Sequence, residues 1–271
     1  CVGFCQYGKS ERSRIRCWKT YGHGTLGVSE AIQRSCNPFF MTLAGSLKSK
    51  VMVDTFNLLN LGRPTGIRLP EEQAGIVLGS KKWKREIRPG ATLTPADLAQ
   101  MSIGQSDSLA TPLQICGITA TIANGGKYYQ PRIIRQVVGP ELLGEQNIIL
   151  ADKAQVKVDL LEKGMEKDQL EEIRQGMWLA ANKLGGTARN AALKNVEIGA
   201  KTGTAQVSKT NLKNSHNAWT TSFAPFNSPR YAVTVMVSNG KSGGLVAGAL
   251  THLIYRGLFA MEAGLDPRLT K

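Results

Sequence analysis

The last third of the sequence contains three strand-like segments in immediate succession, followed by one long apolar segment. The strand candidates are residues 196–207, 218–224 and 231–238, and the apolar segment predicts a helix over about 245–263. The link over 225–230 is rich in turn residues, which favours antiparallel pairing of the second and third strands. Because helical patterns precede these strands, the order predicts an α+β fold, in which helices flank an antiparallel sheet, rather than a parallel α/β sheet.

Helical periodicity dominates the first two thirds of the chain. Residues 63–93 are rich in Gly, Pro and charge, and they are expected to form a long surface excursion. Residues 128–138 are strand-like. Capping residues and apolar spacing predict helices from residue 28, over about 37–47, 51–61, 94–102 and 112–123, and from about residue 167.

The composition is that of an ordinary globular protein. Of the 271 residues, 42% are hydrophobic and 20% are charged, which excludes a disordered, collagen-like or coiled-coil chain. No apolar run is expected to cross a membrane, because the nearest candidate, residues 243–264, is interrupted by His252, Arg256 and Glu262. A net charge of +14 is compatible with an anionic partner. The basic residues are dispersed, however, so a solvated basic surface is the simpler interpretation and no nucleic-acid partner is expected.

The strand candidate around residues 199–205 carries the sharpest local motif. Lys201 can place its ammonium group in a cleft, where it would bind a substrate carboxylate. Gly203 removes a side chain, so that another backbone can approach the strand, and Thr202 and Thr204 add hydroxyl groups. This combination suits a strand that pairs with an extended peptide. Lys-Thr-Gly alone is a weak motif, and an ordinary surface strand is the alternative interpretation.

A second polar motif, Ser35-Cys36-Asn37, lies in the break between two predicted helices. Such a break lets Ser35 and Asn37 point into a cleft. Asn37 also fits the N-cap of the second helix, with Pro38 at its first position, and the two roles are compatible. Ser-x-Asn early and Lys-Thr-Gly late follow the order used by serine acyl-transferases that act on penicillin and D-alanyl peptides.

Other short motifs extend this likeness over nearly the whole chain. They are Arg16-Cys17-Trp18-Lys19, Gly22-His23-Gly24, Leu61-Gly62-Arg63-Pro64-Thr65-Gly66-Ile67, Trp83-Lys84, Ile103-Gly104-Gln105, Ala110-Thr111-Pro112-Leu113-Gln114, Ala123-Asn124-Gly125-Gly126, Gly185-Gly186-Thr187-Ala188, Lys201-Thr202-Gly203-Thr204-Ala205-Gln206 and Ser242-Gly243-Gly244. With this ordered series the chain resembles the transpeptidase domain of class B penicillin-binding proteins, most closely the members that act in cell elongation. The resemblance implies the penicillin-binding transpeptidase fold, here without its N-terminal part.

The resemblance also implies an activity, D,D-transpeptidation. A serine attacks the D-Ala-D-Ala bond of a peptidoglycan stem peptide, and the acyl group then passes to an amine on a neighbouring strand; β-lactam antibiotics bind in the same place. By the resemblance, Ser35 relays a proton toward the leaving amine and Asn37 orients the substrate amide. Lys201 and Thr202 hold the terminal carboxylate, while Thr204 lies beside the docked backbone.

The chain departs from the family pattern in three ways. Arg68 stands where the family usually has an acid, and Ser106 where a Gly usually follows Gly-Gln. The nucleophile motif Ser-x-x-Lys is missing from its expected place. Its literal match, residues 238–241, is expected in a Gly-rich loop, whereas the chemistry needs Ser and Lys one helical turn apart. Residues 1–271 are therefore expected to be the C-terminal portion of one transpeptidase domain, inactive alone, with the nucleophile upstream.

The resemblance further implies a place in the cell and a partner. The protein would act on the extracytoplasmic, periplasmic face of the bacterial inner membrane, anchored by an N-terminal segment outside this chain. Through that part it would bind a membrane-embedded glycosyltransferase of the SEDS family. Two alternatives share the motifs, a β-lactam-sensing receptor domain and a β-lactamase-like serine hydrolase. A non-enzymatic basic binding module is favoured only by the net charge of +14.

Four cysteines and one histidine lie within the first 36 residues, where apolar periodicity is weak. Three thiolates and an imidazole from Cys1, Cys17, His23 and Cys36 would make a tetrahedral structural zinc site, which could hold a segment that lacks a core. Members of the family that act in elongation often carry metal ligands at the last three of these positions. Cys5 in place of Cys1, and a disulfide of Cys1 or Cys5 with Cys17, remain alternatives. Catalysis itself needs no cofactor in this interpretation.

Overall fold

The computed structural model describes residues 1–7, 14–140, 148–207 and 216–266. The helices are α1 (Val28–Gln33), α2 (Asn37–Gly45), α3 (Ser49–Leu58), α4 (Lys81–Glu86), α5 (Pro95–Met101), α6 (Pro112–Ala123), α7 (Lys167–Asn182) and α8 (Gly248–Glu262). The strands are β1 (Phe4–Gln6), β2 (Arg14–Arg16), β3 (Lys127–Tyr129), β4 (Gln136–Val138), β5 (Ile148–Ala151), β6 (Val156–Asp159), β7 (Gly199–Gln206), β8 (His216–Ala224) and β9 (Tyr231–Val237). A 3-10 turn covers Arg189–Ala191, and a π-helical turn at Gly243–Ala247 leads into α8.

The main sheet consists of β7, β8 and β9, in that order and antiparallel throughout. Lys201 lies opposite Thr221 of β8 in the register, and Gly203 lies opposite Trp219. The prediction of an α+β fold with an antiparallel sheet is confirmed. The strand expected over residues 128–138 is instead two short strands with different partners, since β3 pairs with β6 and β4 pairs with β5.

Small side chains allow α7 and α8 to pack closely on this sheet. Ala180 and Ala181 of α7 are fully buried in one core with Ala200 of β7 and Tyr255 of α8. The Tyr255 hydroxyl lies 3.0 Å from the Ser222 hydroxyl inside this core. By length and composition alone, Gly243–Glu262 is apolar enough to cross a membrane. In the structure one side of α8 packs on the sheet, with Tyr255 in the core, and the expectation that this segment does not cross a membrane stays a prediction.

A second core forms where a surface excursion was expected. Val77, Leu78 and Trp83 are at most 1% exposed and pack with Met52 and Met101. Their burial shows that residues 63–93 contribute part of the interior, and the prediction was wrong for this stretch. These apolar residues are few and lack a regular period, which is why the sequence pattern did not mark them.

A chain of packed elements holds the break between α1 and α2 beside β7. Helix α1 packs on α7, which packs on β7. The α1–α7 approach depends on Gly176, because a Cβ atom there would lie 2.8 Å from Cβ of Ile32. Glu172 of α7 accepts hydrogen bonds from both the backbone N–H and the hydroxyl of Ser29. The two predicted motifs, distant in sequence, therefore face one another.

Candidate active site

A cleft of about 940 Å³ opens between the α1–α2 break and β7. It is lined by Trp18, Ser35, Asn37, Phe40, Ser102, Ile103, Gln105, Gly186, Thr187, Arg189, Asn190, Lys201, Thr202, Gly203, Thr204, Ser242, Gly244 and Leu245. All six residues predicted to act in catalysis or substrate binding are among them. In the described part of the chain, the cleft has two cationic side chains, Arg189 and Lys201, and no carboxylate. Such a lining favours an anionic ligand.

Lys201 and Ser35 are in direct contact across the cleft. Lys201 Nζ donates hydrogen bonds to Ser35 Oγ at 2.8 Å and to the carbonyl of Thr202 at 2.6 Å. Burial lowers the pKa of Lys201 to about 8. Ser35 adopts a left-handed backbone conformation with φ of 50°, which costs energy for a residue other than glycine and is common where side chains are positioned for function.

Asn37 is the first residue of α2 rather than its N-cap, so this prediction was wrong. The N-cap is Cys36, which makes no side-chain capping hydrogen bond. The Cys36 side chain is fully buried, while its neighbours Ser35 and Asn37 line the cleft. A polar residue before a helix normally caps it, but here the thiol points into the interior and leaves Asn37 beside the cleft.

The edge of β7 that faces away from β8 carries the remaining predicted residues. The carbonyl of Thr202 accepts from Lys201 Nζ, and the carbonyl of Thr204 accepts from Gln105 Nε2 at 3.4 Å. Alternate residues of an antiparallel strand point their backbone groups the same way, so both threonines present N–H and C=O groups to the cleft. A Cβ atom at Gly203 would make only an ordinary 3.4 Å contact with Trp219, so the fold itself does not require glycine there.

The side chain of Thr204 has a structural partner. Its Oγ1 accepts a hydrogen bond from the backbone N–H of Gly243, at 3.2 Å. This bond ties β7 to the start of the π-helical turn, where the predicted Ser242-Gly243-Gly244 motif lies. The contribution of Thr204 to the cleft is therefore chiefly its backbone.

The literal Ser-x-x-Lys match is not helical. Residues 238–241 form a turn after β9, with left-handed φ values of 54° at Asn239 and 64° at Lys241. Neither Ser238 nor Lys241 lines the cleft. The expectation that this match is a loop without catalytic geometry is confirmed.

Cys1, Cys17, His23 and Cys36 come together in a second cluster behind the α1–α2 break. One ligand atom from each lies within 4.8 Å of all the others, and Cys17 Sγ is 3.4 Å from His23 Nδ1. All five cysteines are free thiols, and Cys5 Sγ instead accepts from the Thr42 hydroxyl. Burial, aided by nearby cationic groups, lowers the pKa of His23, which favours the neutral imidazole that binds metals.

Among the cleft residues that were not assigned a role from the sequence are Gln105, Arg189 and Trp18. These three lie in quoted motifs or beside them, but no spacing rule indicated that they share a cleft with Lys201. Ser106 has φ of 88° and Arg68 has φ of 62°. The first value agrees with the expectation from the resemblance that glycine is usual at this position, since glycine adopts this conformation without strain.

The fold and the cleft together define a penicillin-binding transpeptidase domain. The family model described as "Penicillin binding protein transpeptidase domain" matches residues 3–256, and the chain belongs to this family. The chain is 29% identical to the peptidoglycan D,D-transpeptidase MrdA of Haemophilus influenzae over 254 residues. This match covers 89% of this chain and 37% of that protein. It is 31% identical over 271 residues to the stage V sporulation protein D of Bacillus subtilis, covering 97% of this chain and 38% of that protein.

Solved structures point the same way. Penicillin-binding protein 2 of Helicobacter pylori, in a complex with MreC, matches with a TM-score of 0.76 and 27% identity, over 97% of this chain and 45% of that chain. Penicillin-binding protein 2 of Pseudomonas aeruginosa, in a complex with WCK 5153, matches with a TM-score of 0.78 and 26% identity, over 98% and 56%. The resemblance to class B enzymes of the penicillin-binding protein 2 type is confirmed. The chain spans less than half the length of the curated relatives it matches.

Proposed function

We propose that the protein carrying this chain is a peptidoglycan D,D-transpeptidase, which transfers the acyl part of a D-Ala-D-Ala stem peptide to an amine on a neighbouring strand. The observation that carries this proposal is the 2.8 Å hydrogen bond from Lys201 Nζ to Ser35 Oγ, which joins two motifs 166 residues apart in one cleft. The relatives named peptidoglycan D,D-transpeptidase support the same reaction.

In this proposal the nucleophilic serine comes from an upstream segment, and residues 1–271 are the C-terminal portion of one transpeptidase domain. The described cleft lining supports this, because it contains no serine with a lysine one helical turn away. The relatives support it as well, since the chain covers only 37% and 38% of two of them. The chain by itself is then inactive.

Ser35 and Lys201 move the proton that the leaving amine requires. Because Ser35 Oγ accepts its hydrogen bond from Lys201, its own hydroxyl proton can be donated to the departing D-alanine nitrogen. Lys201 then replaces that proton. A lysine whose pKa is about 8 gives up a proton near neutral pH far more readily than an ordinary lysine does.

The same cleft binds the peptide. Lys201 and Thr202 hold its terminal carboxylate, in a lining that carries no acidic side chain among the described residues. Its backbone pairs with the open edge of β7, Asn37 orients the substrate amide, and a backbone N–H of β7 supplies one donor of the oxyanion hole. Because none of the described lining residues is an acid that could activate water, transfer to an amine is favoured over the hydrolysis that a β-lactamase catalyses.

Penicillin labelling of the full-length protein tests this function. The wild type is expected to form a long-lived covalent adduct, and Lys201→Ala to lose acylation by at least 100-fold, since about 3 kcal/mol of charge-assisted bonding is removed. Lys194→Ala is the matched control, because Lys194 lies outside the cleft, and it should label normally. Wild-type labelling of Lys201→Ala, with an unchanged melting temperature, would contradict the assignment.

We propose further that Cys1, Cys17, His23 and Cys36 hold one structural Zn²⁺. Tetrahedral sulfur and nitrogen ligands at zinc bond lengths lie about 3.6 Å apart, close to the 3.4 Å between Cys17 Sγ and His23 Nδ1. A bound zinc would supply cross-linking of the N-terminal segment, not chemistry. Because Cys36 stands between Ser35 and Asn37, these ligands also fix the wall of the cleft.

Elemental analysis with a thiol count tests the zinc proposal. We expect one zinc per protein and three thiols, those of Cys1, Cys17 and Cys36, that react only after a chelator is added. Cys17→Ser should lose the metal and lower the melting temperature, whereas Cys116→Ser, a thiol outside the cluster, should keep the metal. A protein without zinc, in which two of these cysteines form a disulfide, would contradict it.

The cellular setting is a proposal that rests on the resemblance. We infer a periplasmic position at the inner membrane, through an anchor outside this chain, and a SEDS-family glycosyltransferase as partner. The complex of the Helicobacter pylori neighbour with MreC shows that a protein of this fold binds a further protein. Co-purification of the full-length protein with the glycosyltransferase from solubilised membranes tests this, and recovery of the protein in the cytoplasmic fraction would contradict it.

A further inference from the structure

Gln105 donates a hydrogen bond to the Thr204 carbonyl, an acceptor that a peptide docking on β7 would use. The outward carbonyl of Thr204 accepts a hydrogen bond from Gln105 Nε2 at 3.4 Å. Among the described residues, β8 is the only strand paired with β7, so the opposite edge is open to an extended ligand. A peptide that adds to this edge places an N–H opposite an outward carbonyl. A carbonyl oxygen can accept two hydrogen bonds, but Gln105 Nε2 reaches this oxygen from the cleft, the side from which a docking peptide also approaches. Gln105 and the ligand therefore compete for the same side of the Thr204 oxygen.

The backbone holds Gln105 in this position. The turn after α5 has left-handed φ values of 73° at Gly104 and 88° at Ser106, on either side of Gln105. Its amide nitrogens bond back to the end of the helix, from Gly104 to Met101 O at 3.1 Å and from Gln105 to Gln100 O at 3.0 Å. A left-handed serine is costly, and such strain concentrates at ligand clamps and switch regions.

The competition favours a ligand over Gln105. Backbone N–H···O bonds in paired strands have lengths near 2.9 Å, whereas 3.4 Å lies beyond the usual range. Gln105 is partly exposed, so its amide finds water when it is displaced. The hydrogen bond from Gln105 therefore forms when the cleft is empty, and it is weak enough for a ligand N–H to replace it.

We propose that Gln105 is a positioning residue that caps the Thr204 carbonyl in the empty cleft and is displaced when a ligand with a strand-like amide N–H docks. This inference rests on the proposed function and deepens it, since it states how the open edge discriminates between ligands. Ligands that offer an N–H to Thr204 must displace Gln105, and ligands without that donor need not.

Acylation kinetics of the full-length protein test the proposal. The probes are benzylpenicillin, whose acylamino N–H continues the strand, and a carbapenem, which lacks an acylamino group. Loss of a neutral hydrogen bond of about 1 kcal/mol corresponds to a change of about fivefold. In Gln105→Ala we expect acylation by benzylpenicillin to be about three- to fivefold faster and acylation by the carbapenem to be unchanged. Gln105→Glu, which cannot donate to a carbonyl, should show the same selectivity.

The controls separate the possible failures. Ser106→Gly relaxes the turn and keeps the amide, so the ratio of the two acylation rates should equal that of the wild type. Equal changes for both ligands, slower acylation by benzylpenicillin, or no change for either would overturn the proposal about Gln105 while leaving the proposed function intact. A wild-type protein that neither ligand acylates would overturn both.

Discussion

At the scale of single residues, the cleft depends on groups held in unfavourable states. The Lys201 ammonium is buried, and Ser35 and Ser106 have left-handed backbones. Each state costs stability, and each places a polar group where a ligand would meet it. The two serines differ in which of their groups acts in the cleft. Ser35 brings its hydroxyl to Lys201, whereas the side chain of Ser106 is exposed and only its backbone conformation matters to Gln105.

The lowered pKa of Lys201 predicts an alkaline limit to acylation. The ammonium binds the ligand carboxylate in its charged form, which is populated below a pKa of about 8 and lost as the pH rises through it. We expect the second-order rate constant of penicillin acylation to fall on an alkaline limb with an apparent pKa near 8. Lys201→Arg stays charged and should remove that limb even if its rate is lower. A wild-type rate that is constant up to pH 10 would contradict the role of the ammonium.

The backbone of Ser106 predicts a stabilising substitution. A left-handed conformation costs a non-glycine residue about 1–2 kcal/mol, and the greater freedom of glycine in the unfolded chain returns part of that gain. Ser106→Gly should therefore raise the free energy of unfolding by about 0.5–1 kcal/mol, measured by urea denaturation.

Gly104 in the same turn provides the reverse experiment. It has φ of 73°, and no atom lies within 4 Å of the place that a Cβ atom would take, so only the backbone opposes a side chain. Gly104→Ala should lower the free energy of unfolding by about 1 kcal/mol. If the two substitutions change stability in the same direction, backbone strain is not the cause.

At the scale of elements, the packing of α1 on α7 decides where Ser35 lies. Gly176 permits this contact, and a methyl group there would overlap Ile32. We expect Gly176→Ala to lower the free energy of unfolding by about 1–3 kcal/mol through overpacking. Gly45→Ala is the matched control in α2, because a Cβ atom there would have no neighbour within 4 Å. That control should be neutral or stabilising by up to about 1 kcal/mol, and equal losses in both variants would contradict the packing argument.

The elements themselves were largely predictable because their signals are local. Helix α6 was predicted over about 112–123, since Asn124-Gly125 ends it. The structure gives it these bounds, with Thr111 as its N-cap. The N-cap of α2 was not predicted correctly. Capping preferences favour polar side chains such as Asn, whereas the observed N-cap is Cys36, whose thiol is buried and makes no capping hydrogen bond. The bond from Gln105 to Thr204 spans 99 residues, and no local pattern encodes which loop meets which strand.

At the scale of the whole molecule, order along the chain was more informative than composition. The net charge of +14 indicated several kinds of partner and identified none. Two motifs in the right order predicted a cleft, and the fold brings them within hydrogen-bonding distance. The four predicted metal ligands also converge. The buried part of residues 63–93 was not predicted, because its few apolar side chains are buried only through contacts with helices that are distant in sequence.

The open edge of β7 has a consequence for solubility. A free strand edge is a template on which other chains can pair, and proteins commonly protect such edges with charged side chains or a covering loop. Here Lys201 Nζ and Gln105 Nε2 occupy the carbonyls of Thr202 and Thr204. The same two donors that border the peptide-binding edge therefore also reduce the number of free carbonyls with which the strand of another copy could pair. We therefore expect the empty edge to pair less readily with another chain than a bare strand edge would, because two of its carbonyls already accept hydrogen bonds from side chains of the same protein.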